Sequence, residues 1–280
     1  MSIKRVNHGK GHSYIDTDSG ERVPGVTTII SNGLPKPALL NWAGDATAEF
    51  AIDNWADLAA LPLSERLKRI KGGRYEKRDA AANKGTAVHK LAERLIAGEK
   101  VTVPAGLEGY VAACVSFLDD FAVRQVHVEA LVYSATRNHV GTADLIADLL
   151  LPDMPEYDDY PRDADGYVRT LCDWKTSRSG IFGEVALQLA GYRFAEHLIT
   201  ADGDTIDMPP VDLTAGIHLR GDGTYSLVPL HTDEQVYRGF LYVRETARVV
   251  DGLRDLVGEP IVAGTAPRYV LAKADEEVPA

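Results

Sequence analysis

The sequence predicts an α/β domain with a central mixed β-sheet flanked by helices. Three observations predict it. The composition is that of a packed protein, with 45% hydrophobic and 25% charged residues among 280. Apolar residues recur at helical spacing up to about Phe121 and then alternate with period 2. A helical segment follows the third strand of that second region, which lets the next strand return parallel.

Each element is read in chain order. Residues 12–23 (HSYIDTDSGERV) suit a small hairpin around a DTDSGE turn. From Pro37 to about Leu61, Leu39, Trp42, Ala46, Phe50 and Trp55 are spaced for one helix or two, with Pro35 and Pro37 at the entry. Residues 66–78 (RLKRIKGGRYEKR) hold seven Lys or Arg and one Glu, and read as a charged helix and loop kept flexible by Gly72 and Gly73. Val88, Leu91, Ala92 and Leu95 share one helix face that ends near Gly98, and a further helix spans about 107–121.

Strands are expected at 126–134 and 139–150, joined by an ATRN turn, and at 168–176. The acidic stretch between them, PDMPEYDDYPRDADG, reads as a solvated excursion. A helix over 183–199, two strands about a GDG turn and a last helix from Asp233 to about Leu256 complete the pattern. The whole is expected to be one domain: an N-terminal hairpin and helical elaboration (1–80), a core (81–258) and a tail (259–280).

The net charge of -11 argues against a protein that coats a polyanion along its whole surface, while leaving room for a local basic groove. Two cysteines, Cys114 and Cys172, cannot build a four-cysteine zinc or iron-sulfur site. The N-terminus lacks an apolar signal core, and no stretch approaches the ~20 apolar residues of a membrane span. The expectation is a soluble, cytoplasmic protein with no membrane contact.

The chemistry concentrates on two consecutive strands. Asp173 and Lys175 in CDWKT are two apart and so point to one face, and Asp144 in GTAD joins them if its strand is the neighbour. Two carboxylates make a hard oxygen site for Mg or Mn, and a lysine beside them can stabilise a phosphate. The bland alternative is an Asp-Lys ion pair at a strand end. Gln188 and Tyr192 are four apart on one helix face, where an amide and a phenol can contact nucleic acid or the catalytic loop.

With these residues in order, the sequence resembles the PD-(D/E)XK nuclease superfamily, a restriction-endonuclease-like core, and in particular its RecB-type exonuclease branch. Asp144 takes the place of the first motif acid, Asp173 and Lys175 that of (D/E)xK, Gln188 and Tyr192 that of QxxxY, and His89 that of the upstream helix histidine. The stretch VPGVTTIISNGLPKPALLNW also looks like the opening of phage-encoded members.

The resemblance implies a metal-dependent DNA exonuclease of phage-type recombination or DNA processing. His89, Asp144, Asp173 and the Trp174 backbone carbonyl would surround one or two Mg or Mn ions, and Lys175 would orient or help deprotonate the attacking water. Glu93, one turn after His89, can orient it or simply pair with a surface lysine or arginine, and Glu129 on the first strand can reach the site across the sheet or stay a solvated strand-edge residue. Arg66, Lys68, Arg69, Lys71, Arg74, Lys77, Arg78 and Lys84 are expected to contact DNA phosphates.

This chain departs from those relatives that carry an iron-sulfur cluster, since it lacks their four cysteines. It also has no GxxxxGK[ST] phosphate loop. A nuclease of this kind acts alone or with a separate single-strand annealing or recombination protein. Two readings stay open beside the exonuclease: an endonuclease of the same superfamily, and a catalytically silent module that binds DNA ends.

Overall fold

The computed structural model describes residues 3–9, 11–200 and 202–261. Most of the tail expected at 259–280 therefore lies outside the described residues. The chain opens with an antiparallel sheet of β1 (Ile3–His8), β2 (Gly11–Asp16) and β3 (Arg22–Val23). The expected hairpin thus has a third strand, β1, whose basic sequence IKRVNH gives little apolar alternation to read.

Helix α1 (Val26–Gly33) follows, unexpected in a run rich in β-branched residues that favours strands. Packing decides it: Val26, Ile29, Ile30 and Gly33 form one buried face. At Gly33 a Cβ would come within 2.2 Å of the Val243 carbonyl, so only glycine permits the approach.

Helices α2 (Pro37–Asp53) and α3 (Trp55–Ala59) pack on the N-terminal half of α4 (Leu63–Ile96) as a helical arm. Of the apolar positions expected to pack, only Ala46 and Phe50 are buried on α2, while Leu39, Trp42 and Trp55 stay exposed. Helix α4 runs for 34 residues straight through the basic segment, about 51 Å at 1.5 Å per residue. Gly72 and Gly73 do not loosen it as expected, because Gly73 lies under Phe50, where a Cβ would fall 2.1 Å from the ring.

After α5 (Glu108–Asp120) come β4 (Arg124–Ser134), β5 (His139–Leu149), β6 (Val168–Lys175), α6 (Glu184–Arg193), β7 (His197–Ile199), β8 (Thr205–Asp207), β9 (Leu213–Leu219), β10 (Tyr225–Pro229) and α7 (Glu234–Gly252). The helix expected over 183–199 stops at Arg193, because His197–Ile199 pairs with β4 and buries Leu198 in the core instead.

The main sheet is mixed, as expected, with order β10-β9-β6-β5-β4-β7-β8. Only β6 and β9, separated by the α6 crossover, are parallel. Helices α4 and α5 cover one face, through Val88, Leu91, Phe117, Leu145, Cys172 and Trp174. Helices α1, α6 and α7 cover the other, through Ile30, Ile146, Leu171, Leu189 and Phe240. The N-terminal sheet packs Ile3, Tyr14 and Val23 against Tyr133, Val140 and Ile199. Among the described residues no helix is long and apolar enough to cross a membrane.

The β4–β5 pair contains an irregularity that bears on the site. Val128 and its partner Leu145 pack on the α4–α5 side, whereas Ala130 and its partner Ala143 pack on the α1–α6–α7 side. Strict alternation would put both pairs on one side. The faces therefore exchange at the two residues between them, Glu129 and Asp144, and Glu129 has φ +50°, in the left-handed region.

Candidate functional site

The β5–β6 ladder runs from Leu149 and Val168 to Leu145 and Cys172, then stops one residue short of Asp144 and Asp173. Where it opens, side chains from both helical layers enter. Asp144 Oδ2 accepts the Trp174 N–H at 2.9 Å. From α4, His89 Nε2 lies 3.2 Å from the Trp174 carbonyl oxygen and Nδ1 lies 3.6 Å from Asp144 Oδ2.

From α6, the Gln188 amide donates to Asp173 Oδ1 at 2.6 Å and to Tyr192 Oη at 3.2 Å. Asp173 is buried, and its Oδ2 faces the Lys175 ammonium as an ion pair with no hydrogen-bond donor aligned on it. The backbone here is fixed by packing: Trp174 meets Phe117 edge-on at 5.6 Å, and the Tyr192 ring covers Gly141, where a Cβ would lie 2.2 Å from it. The six residues read from the two strands and two helices thus meet at one place.

Burial raises the Asp144 carboxyl well above its ordinary range, and Asp173 and Glu129 push it further by repulsion. Burial likewise raises Glu129, against the pull of Arg5. Burial lowers His89, partly offset by Asp173, which favours the neutral imidazole with a lone pair to give. Burial raises the Tyr192 phenol far above its usual value, so it stays a neutral hydrogen-bonding group. Three carboxylates face two cations, Lys175 and Arg5, and the imbalance calls for additional positive charge.

The donor set fits a hard divalent cation. His89, Glu129 and Asp144 each offer an atom within 4.8 Å of the others. If His89 Nε2 is the ligand atom, its 3.2 Å separation from the Trp174 carbonyl oxygen is near the ~3 Å between adjacent ligands of an octahedral ion with bonds of ~2.1 Å. Glu129 belongs to this group of three, and Asp173, expected among the ligands, lies next to it with Oδ1 accepting from Gln188 and Oδ2 beside Lys175. Glu93 does not orient His89, because the ring nitrogens face Asp144 and Trp174, and Glu93 instead adds negative charge near Glu129. The thiols are not candidates: Cys114 and Cys172 are buried, and burial pushes Cys114 up to about 12.

The basic residues divide sharply. Arg66 donates to the carbonyls of Leu58, Ala59 and Leu61 and lies over Trp55, so it braces the arm itself. Lys84 donates to Tyr110 Oη at 2.9 Å, Lys77 pairs with Glu49, and Arg69 faces Glu76 at 3.5 Å. Arg74 and Arg78 flank the Tyr75 ring. Lys68 and Lys71 are exposed, with no partner among the described residues.

Sequence reasoning did not single out Arg5, whose guanidinium is 3.6 Å from Glu129, or Tyr14, whose hydroxyl meets Thr142 at 3.0 Å two residues before Asp144. No local pattern marks either, since both reach the site only through docking of the N-terminal sheet. No protein-family model matches the chain, and no curated protein matches it significantly.

Proposed function

We propose that the protein is a metal-dependent deoxyribonuclease of the PD-(D/E)XK, RecB-like type. It hydrolyses DNA phosphodiesters from an end, in phage-type recombination or DNA processing in the cytoplasm, alone or beside a separate annealing or recombination protein. One observation carries this reading: His89, Asp144, Asp173 and Lys175 converge where β5 and β6 part, with Gln188 and Tyr192 fastening Asp173 from α6.

His89, Asp144, Glu129 and the Trp174 carbonyl would hold Mg or Mn, which when bound neutralises the phosphate and acidifies a water for attack. The chain's own groups do the rest. Neutral His89 gives a lone pair that burial keeps unprotonated. Gln188 holds Asp173 in one rotamer by a 2.6 Å hydrogen bond. Lys175, part-exposed beside Asp173, orients the attacking water and stabilises the charge that grows on the phosphate oxygens. Lys68 and Lys71 on the arm contact the backbone without reading bases.

The test is incubation of end-labelled linear DNA with the protein in Mg, Mn or EDTA, beside Lys175→Ala. Metal-dependent loss of nucleotides that Lys175→Ala abolishes is expected. Cutting of a closed circle replaces the exonuclease by an endonuclease, and binding with no turnover in any metal leaves only a DNA-end-binding module.

A further inference from the structure

We propose that Glu129 is a ligand of the divalent cation and that Arg5 competes with the cation for it until a substrate phosphate draws the guanidinium away. This rests on the nuclease reading and adds to it a coupling between metal and nucleic acid.

Glu129 stands opposite Asp144 in the register set by Val128↔Leu145 and Ala130↔Ala143, at the point where the sheet exchanges faces. Its φ of +50° is strained for a residue with a side chain. Such strain persists where surrounding structure imposes it, and it concentrates at functional sites. Here a Glu129 carboxylate oxygen lies within 4.8 Å of ligand atoms on His89 and Asp144.

The competitor is built in as firmly. On β1, Ile3, Arg5 and Asn7 share a face, and across the strand pair they meet Asp16, Tyr14 and His12. Ile3, Tyr14 and Val23 enter the core, and Arg5, directly across the strand pair from Tyr14, reaches Glu129. The Tyr14–Thr142 hydrogen bond ties the sheet to β5 beside Asp144. Arg5 is therefore positioned by a docked sheet, with Nη1 3.6 Å from Glu129 Oε2.

A guanidinium there withdraws negative charge from the cation site and repels a divalent ion. Phosphate is the better partner for it, because the fork geometry of Arg matches two phosphate oxygens. A strand entering the site thus releases Glu129 as it occupies Arg5. By linkage, DNA and metal each raise the affinity for the other.

Mn affinity, read from the electron paramagnetic resonance signal of free Mn, tests this without any turnover. Glu129→Gln is expected to weaken binding about tenfold or more, and Arg5→Gln to tighten it several-fold. The tightening from Arg5→Gln should shrink sharply in the Glu129→Gln background, since Arg5 acts mainly through that carboxylate. Glu129→Gly, which relieves the positive φ and so keeps the fold, must show the same loss.

In a Lys175→Ala background, a DNA oligonucleotide should raise Mn affinity more when Arg5 is present than in Arg5→Gln. Unchanged Mn affinity in Glu129→Gln and Glu129→Gly overturns the ligand, and equal rises with and without Arg5 overturn the competition. Mn binding with these dependences but no hydrolysis of any DNA removes the nuclease reading and leaves the ligand. Lys175-dependent hydrolysis with Mn affinity indifferent to Glu129 removes this inference alone.

Discussion

The same two strands carry opposite electrostatics at their two ends. At one end Asp148 faces Arg169 in direct register, and the guanidinium grips both carboxylate oxygens. Four residues along each strand, Asp144 faces Asp173, acid against acid, with Glu129 adding a third carboxylate. The first end is a closed account of charge that holds the strands together. The second leaves part-buried negative charge that its own lysine and arginine do not cancel, and burial drives Asp144 toward its protonated form. Groups of buried, mutually repelling carboxylates of this kind concentrate at functional sites.

The largest expected effect lies at the unbalanced end. Lys175→Ala should lower DNA hydrolysis by about a thousandfold or more, the scale of losing a group that stabilises transition-state charge. Circular dichroism should stay near wild type, and the loss should persist well below whatever lower melting temperature follows from leaving buried Asp173 without its cation. Loss of hydrolysis together with collapse of the fold would make Lys175 a structural partner of Asp173, as Arg169 is of Asp148.

At the balanced end the effects should exchange. Asp148→Ala leaves Arg169 without its bidentate partner in a half-buried site, which should cost about 1–3 kcal/mol of stability. Turnover measured below the melting transition should be unchanged. A hundredfold loss of turnover with little loss of stability would erase the distinction between the two ends.

Asp144 sharpens the comparison through its sign. Its carboxyl titrates higher in the fold than in the unfolded chain, so its ionisation opposes folding. Stability of the metal-free protein is complete below the unfolded value near 3.9 and is lost as pH rises through the higher folded value. Asp144→Asn keeps an acceptor for the Trp174 N–H and removes that loss. It should raise the metal-free melting temperature at neutral pH by ~2–4 °C, about 1 kcal/mol in a domain of this size. The stabilisation that Mn gives the wild type should vanish in the same variant.

The strands, their adjacency and the residues that meet at their opening were legible in the sequence, because period-2 alternation and the acid-x-Lys spacing are local signals. The exchange of faces at Glu129 was not. VHVEALVYS reads as ordinary alternation, and nothing local announces a left-handed residue within it. Helix α1 was hidden by its β-branched residues until α7 covered it, and the long run of α4 was hidden by Gly72 and Gly73 until Phe50 packed on Gly73. Arg5 was a lone charge in a basic tail. In each case a contact distant in sequence overrode the local pattern.

The smallest effect extends the contrast of matched and unmatched charge to the helical arm. Arg66 is matched: its guanidinium closes three carbonyls at the end of α3. Lys68 and Lys71 lie within five residues of it, exposed and unpartnered among the described residues. A Lys68→Gln, Lys71→Gln double variant should therefore weaken DNA binding only about three- to tenfold, equally across sequences. The slope of log affinity against log salt should fall by about 1–2, since two fewer phosphates are neutralised. Arg66→Gln should instead loosen the arm, detected as faster hydrogen exchange at 55–61, and leave the salt slope unchanged. A shallower slope from Arg66→Gln and none from the lysine pair would reverse the assignment, and would show that exposure and pairing do not sort the charges of this arm into those that hold it and those that meet DNA.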